Sequence, residues 1–354
     1  MSESIFEEGG PHKIKRIDTD KYQMNVSLPL DSDGRLAREC PSENCSPGYF
    51  KVKPGTGITS EQKSAFCPYC RFSSEPKNFA TKEQVRYVKD SVMRETHEGI
   101  GKMIQDALGL GPSGKKKYGD GFISMEMSYK AGSLPYVRPP IESELKRDVI
   151  CPNCGLDHSV YGLATWCADC GRDIFLIHVE AELNVVKTML EDVSRRQEKI
   201  GSRVAAKDIE NCLEDTVSIF EAVLKALLIR YYINKGLSED EINEILKKKI
   251  GNAFQSISRT DLFFQAELGF KLFDDVDKET LEFLALTFEM RHPITHNLGI
   301  VDRKYLEKVR SAEKEGREIR VTIEDIEKAI NISFDIFKST HRRLFRADDG
   351  NSII

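Results

Sequence analysis

The spacing of the cysteines constrains this chain more than any other feature. Eight of the nine fall into four close pairs, all before residue 171: Cys40 with Cys45, Cys67 with Cys70, Cys151 with Cys154, and Cys167 with Cys170. A Cys-x-x-Cys turn places two thiolates on one side of a tight knuckle, and two knuckles complete a tetrahedral four-sulfur site. Four thiolates close the coordination shell, whereas catalytic zinc keeps an open position, so the expected cofactor is Zn2+ at two structural sites with no catalytic metal. Thioredoxin-like chemistry needs one pair opening a helix within a βαβ unit, and neither cluster has that setting. The first 20 residues alternate acidic and basic side chains without an apolar core, so no secretion signal is expected. A cytoplasmic location follows as an expectation, and a reducing cytosol favours metal ligation over disulfides.

Composition adds a second constraint. The 354 residues carry a formal charge of −5, which excludes a globally basic nucleic-acid-binding chain. The balance is uneven, because residues 1–172 carry 24 basic and 23 acidic side chains and residues 173–354 carry 28 and 34. Within the first half, residues 51–147 hold 17 basic against 11 acidic groups. The most apolar stretch, Ile219 to Ile233, is interrupted by Glu221, Lys225 and Arg230. It is too short to cross a bilayer, so no membrane partner is expected.

The texture changes at Asp173. Before it lie Gly, Pro and Ser with short β-prone runs such as 48–53 and 122–127. The string Thr81-Lys-Glu-Gln84 has the form of a capping box and predicts a helix to about Leu108. The segment 109–121 reads as a flexible basic loop around Lys115, Lys116 and Lys117. After Asp173, Ile209, Cys212, Leu213, Val217, Phe220, Val223, Leu224, Leu227, Leu228 and Tyr231 follow the three-four spacing of a buried helical face. Cys212 on that stripe is expected in the core. Further helices are predicted from Ser238, from Asp277 to about Met290 and from Thr322 to about Phe345. The expected fold is a multidomain α+β chain, with β-rich modules at 1–80 and 148–172 and a helix-and-loop connector at 81–147. A helical linker at 173–203 then leads to an all-α bundle at 204–354.

Residues 149–172, with Cys151-Pro-Asn-Cys154-Gly and Cys167-Ala-Asp-Cys170-Gly, resemble the zinc-ribbon family down to the glycine after each knuckle. Cys40, Cys45, Cys67 and Cys70 look like a divergent ribbon with a wider first knuckle and a long basic insert. Sequence leaves open which pairs share an ion. Small ribbons also present aromatic and basic side chains, and Tyr49, Phe50, Lys51 and Lys53 form one candidate surface for a nucleic-acid strand. A protein ligand is the other expectation for these modules.

The most chemically loaded stretch is Glu289-Met-Arg291-His292-Pro293-Ile-Thr-His296-Asn297. In an unbroken helix Arg291 and His296 lie about 140° apart. Pro293 is expected to break the helix, so that Arg291 ends one segment and His296 lies in the next. Placed in an all-α region, Arg291, the polar His292, His296 and Asn297 resemble the Arg-x(4–6)-His motif of the HEPN family. That resemblance implies a metal-independent endoribonuclease acting as a homodimer, with the motifs of two protomers meeting in one active site. It also implies a sensor fused to an effector, as in prokaryotic defence and toxin systems. The side chains suit the chemistry, since His296 can exchange a proton near neutral pH and Arg291 can hold a phosphate with a permanent charge. His292 or Asn297 would orient the scissile group or fix the working tautomer. RNA is the expected substrate, and the products would carry 2′,3′-cyclic phosphate and 5′-hydroxyl ends. The competing expectation is a zinc-ribbon nucleic-acid-binding regulator whose helical half only dimerises.

Overall fold

Two short hairpins, each built around a cysteine knuckle, join into the central sheet of the N-terminal half. The computed structural model describes residues 5–19, 21–111, 113–119, 124–145, 147–309 and 313–345. The chain divides into two compact units, Met1–Asp173 and Ile174–Ile354. The first contains β1 (Lys15–Asp18), β2 (Lys21–Gln23), β3 (Leu36–Glu39), β4 (Tyr49–Val52), β5 (Ala65–Phe66) and β6 (Ser73–Ser74). Helix α1 (Lys82–Ala107) follows, then β7 (Lys115–Tyr118), β8 (Met125–Ser128), β9 (Arg147–Ile150) and β10 (Asp157–Val160).

A two-stranded hairpin is marginal alone, and here β4 pairs with β10, giving an antiparallel sheet of order β3-β4-β10-β9. The segments 1–80 and 148–172, expected as two modules, therefore share one sheet. The register contains an internal two-fold: Ala37 and Asp148, each three residues before the first cysteine of its cluster, pair with Lys51 and Ser159, and these two pair with each other. Phe50, Val149 and Val160 are buried, and Phe50 meets Phe79 edge-on at 6.0 Å.

Helix α1 starts where its capping box requires. Thr81 accepts from the Gln84 amide, and the Gln84 side chain accepts from the Thr81 amide and donates to the Ala37 carbonyl, tying the helix to β3. The expected basic loop is corrected in part, because Lys115, Lys116 and Lys117 form strand β7 paired to β8. Residues 125–127 of the β-prone run find their partner there, and Gly114, at positive φ, leads the chain into β7. Residues 112 and 120–123 of these two predictions lie outside the described residues.

The second unit contains α2 (Phe175–Glu191), α3 (Val193–Ile200), α4 (Ser202–Asn234), α5 (Glu239–Ile245), α6 (Ile257–Leu268) and α7 (Lys278–Glu289). It ends with α8 (Arg291–Asn297), α9 (Arg303–Lys308) and α10 (Ile323–Phe345). The predicted stripe makes α4 the central helix: Cys212, Leu213, Val217, Phe220, Val223, Leu224, Leu227 and Leu228 are buried, and α2, α3, α8 and α10 pack on it. Phe220 joins three helices through Phe288 at 5.1 Å and Phe337 at 5.4 Å. Residues 173–203, expected as a linker, instead contribute α2 and α3 to this bundle, because Phe175, Val179, Leu183, Val186 and Leu190 form an apolar face that buries against it. Among the described residues, no helix is long and apolar enough to cross a membrane.

Candidate functional site

Each N-terminal four-cysteine cluster is assembled from two turns. Cys40 and Cys45 lie in the β3–β4 connection and meet Cys67 and Cys70 of the β5–β6 hairpin. Cys151 and Cys154 lie between β9 and β10, and meet Cys167 and Cys170 in a turn closed by the Trp166–Asp173 bridge. The structure thus pairs ligands within each cluster. Three knuckles share one backbone pattern, in which the residue after the second cysteine donates to the carbonyl of the first: Arg71 to Cys67, Gly155 to Cys151, and Gly171 to Cys167. That residue has positive φ in all three, which explains two glycines and leaves Arg71 in a conformation that is costly for a side-chain-bearing residue.

Sulfur positions test the fit to a metal. A Zn–S bond of about 2.3 Å in a tetrahedron puts the sulfurs about 3.8 Å apart. The Sγ separations are 3.7 Å for Cys40–Cys70, 3.6 Å for Cys45–Cys67, 3.7 Å for Cys151–Cys170 and 3.5 Å for Cys154–Cys167. None of the eight is in a disulfide. The thiols titrate unevenly. Cys70 is pulled down by hydrogen bonds from Cys45 and Cys67, while Cys45, favoured as thiolate by Cys67, is nonetheless pushed up to about 12 by Cys70 and by burial. Burial likewise raises Cys154 to about 11. Four thiolates at these spacings repel one another, and a bound divalent cation supplies the compensating charge.

The candidate nucleic-acid surface on these modules is corrected. Phe50 is 2% exposed and belongs to the core. Lys51 is 5% exposed, with Nζ 2.7 Å from Asp31 and 3.0 Å from Glu142. Tyr49 is half-buried, its carbonyl accepting from the Tyr69 hydroxyl, and Lys53 alone of the four keeps an open side chain, 3.8 Å from Asp157. Alternation along β4 suggests one open face, but the Asp31 and Glu142 segments cover it.

In the helical unit the motif lies on α8, which begins at Arg291 directly after Met290. The break falls at Met290, two residues before His292, so Arg291 opens the second helix and does not end the first. Pro293 is no obstacle at the third position, since first-turn amides have no acceptor within the helix. Arg291 and His296 therefore stay on one short helix, about 140° apart. His292 and His296, four residues apart, share a face with ring centroids 5.0 Å from each other. His296 and Asn297 are exposed, while Arg291 and His292 are half-buried. Asn297 donates its amide to the Ile300 carbonyl at 2.7 Å, shaping the turn in which Leu298 takes a positive φ. Its side chain serves the helix end.

Sequence reasoning missed the groups that hold this motif. The Arg291 guanidinium donates to Gln255 Oε1 at 2.7 Å, and Gln255 Nε2 donates to Glu221 on α4 at 2.8 Å. Glu221 also pairs with Lys225. The one local signal was that pair of charges interrupting an apolar stripe. His292 is held below the ordinary histidine range by burial, and then by the cations Lys308 and Lys304 of α9. It is thus mainly neutral near pH 7 and able to accept a proton. The C-terminal tail offers His341, Arg342 and Arg343, with Arg343 paired to Asp275. Arg346 lies outside the described residues.

No protein-family model matches the chain, and no curated protein or solved structure is significantly similar to it.

Proposed function

We propose that the helical unit is a metal-independent endoribonuclease of HEPN type, active as a homodimer, and that the N-terminal unit holds two structural Zn2+ ions and recognises the activating ligand or the RNA. The observation that carries the nuclease reading is the His292–His296 pair, one ring exposed and the other kept neutral, beside an arginine fixed by Gln255. His292 accepts the 2′-hydroxyl proton, His296 donates a proton to the departing 5′-oxygen, and Arg291 holds the phosphate as its charge grows. Because α8 separates Arg291 and His296 around its axis, a second copy supplies the arginine that faces a given histidine. The four-sulfur spacing supports the zinc assignment.

Incubation of the purified protein with end-labelled RNA, during a short EDTA exposure with a folding control, tests the site. The expected products have 2′,3′-cyclic phosphate ends, and His296→Ala and Arg291→Ala should each slow cleavage by roughly 100-fold or more with fold and dimer intact. Wild-type rates in both variants would overturn the assignment. Binding of RNA without any product would point to the non-catalytic regulator.

A further inference from the structure

The two cysteine clusters are joined at every level of their construction. Their hairpins are neighbours in one sheet through β4 and β10. Their second knuckles are joined by backbone bonds: the Phe66 amide donates to the Ala168 carbonyl at 2.8 Å, and the Thr165 and Trp166 amides donate to the Pro68 carbonyl at 2.9 and 3.1 Å. These bonds run between residues inside or beside Cys67–Cys70 and Cys167–Cys170. Asp169, within the last knuckle, accepts from the Ile58 amide at 3.0 Å and the Gln62 side chain at 3.2 Å, in the segment that links Cys45 to Cys67. Arg71 lies 4.4 Å over the Trp166 ring. A Cβ on Gly171 would approach the Phe66 ring to 2.9 Å, so the knuckle of one cluster is shaped to receive the ring beside the other.

We propose that the two four-thiolate sites fill and empty together, so that the N-terminal unit is one metal-responsive element and not two independent clips. This rests on the zinc reading. Each cluster consists of turns on strands of two to four residues, and a metal that orders one cluster fixes the backbone groups that the other needs. Ordering of the second site has then been met in part before its ion arrives, which is positive coupling. Cys70, exposed where its seven partners are buried or half-buried, is the thiolate most open to a chelator. Withdrawal of the ion it helps to hold releases both.

Native mass spectrometry of the full-length reduced chain, titrated with Zn2+, tests this. With equal and independent sites, one equivalent leaves about half of the chains singly loaded. Coupling of about 100-fold, within the usual range for linked sites, leaves about a tenth. The expected spectrum is therefore dominated by zero-ion and two-ion chains, and a dominant one-ion species would overturn the proposal. The double variant Cys151→Ser/Cys154→Ser should fall from two ions to none at zinc concentrations that saturate wild type. Retention of one ion at wild-type affinity counts against coupling. Arg71→Ala combined with Trp166→Ala keeps all eight ligands and should raise the one-ion fraction; an unchanged fraction would remove that contact from the coupling. Failure to bind any Zn2+ would sink the zinc reading itself, an outcome distinct from these.

Discussion

Strands β3, β4, β9 and β10 are four residues each, while α4 alone runs for 33 residues. The strands stand beside two four-cysteine clusters and an ion-pair network in which the buried Arg35 lies 2.9 Å from Asp157 and 3.1 Å from Asp148. The helix buries eight fully enclosed apolar or thiol side chains of its predicted stripe. Under the zinc reading the N-terminal unit would draw its stability from ligation and paired charges, and the helical unit draws its own from apolar packing. Small β-rich units without a large core need such staples. The difference sets what each unit can sense, since a ligated unit responds to metal supply and a packed one does not.

Removal of metal gives the largest expected effect. Structural zinc contributes about 10–16 kcal/mol to the folding of small domains. Chelation should abolish the protected amides of β3, β4, β9 and β10 in hydrogen exchange, while the thermal transition of the helical unit stays within a few degrees. Loss of protection in both units at once would erase the distinction. Phe220→Ala makes the opposite test. It removes a ring packed on Phe288 and Phe337, and should cost the helical unit about 3–5 kcal/mol with two ions still bound by mass. A loss of metal in that variant would show that the units do not fold separately.

Legibility followed the range of the interactions. The four cysteine pairs, the capping box of α1 and the stripe of α4 depend on residues close in sequence, and each was readable from spacing, whereas which pairs share a cluster came from the structure. The β4–β10 pairing joins segments more than 100 residues apart, and nothing in either strand announces its partner. Lys51 shows the same limit: its pattern suggests an open cation, and its burial is decided by Asp31 and Glu142. At the arginine–histidine helix, the residue types were legible. The start of α8 was misplaced because His292, just ahead of proline, was read as non-helical, and the Gln255–Glu221 support was invisible because it comes from separate elements.

The smallest effect concerns charge at α8, where fixed cations of the helical unit act on a titrating ring. Burial is the first cause that keeps His292 below the ordinary histidine value of 6.5, and Lys308, Lys304 and His296 add to it, with Asp302 opposing. Between the depressed native value and 6.5 the unfolded chain binds more protons at this position than the folded one, so stability rises with pH through that window and is lost as pH falls through it. Lys304→Ala with Lys308→Ala should move His292 titration upward, toward but short of 6.5 because burial remains, and should narrow the window in which acid destabilises the unit. Under the nuclease reading the acid limb of the cleavage profile moves upward with it. Titration of the His292 ring by NMR measures the shift directly, and an unmoved ring would remove the two lysines from the causes of its depression.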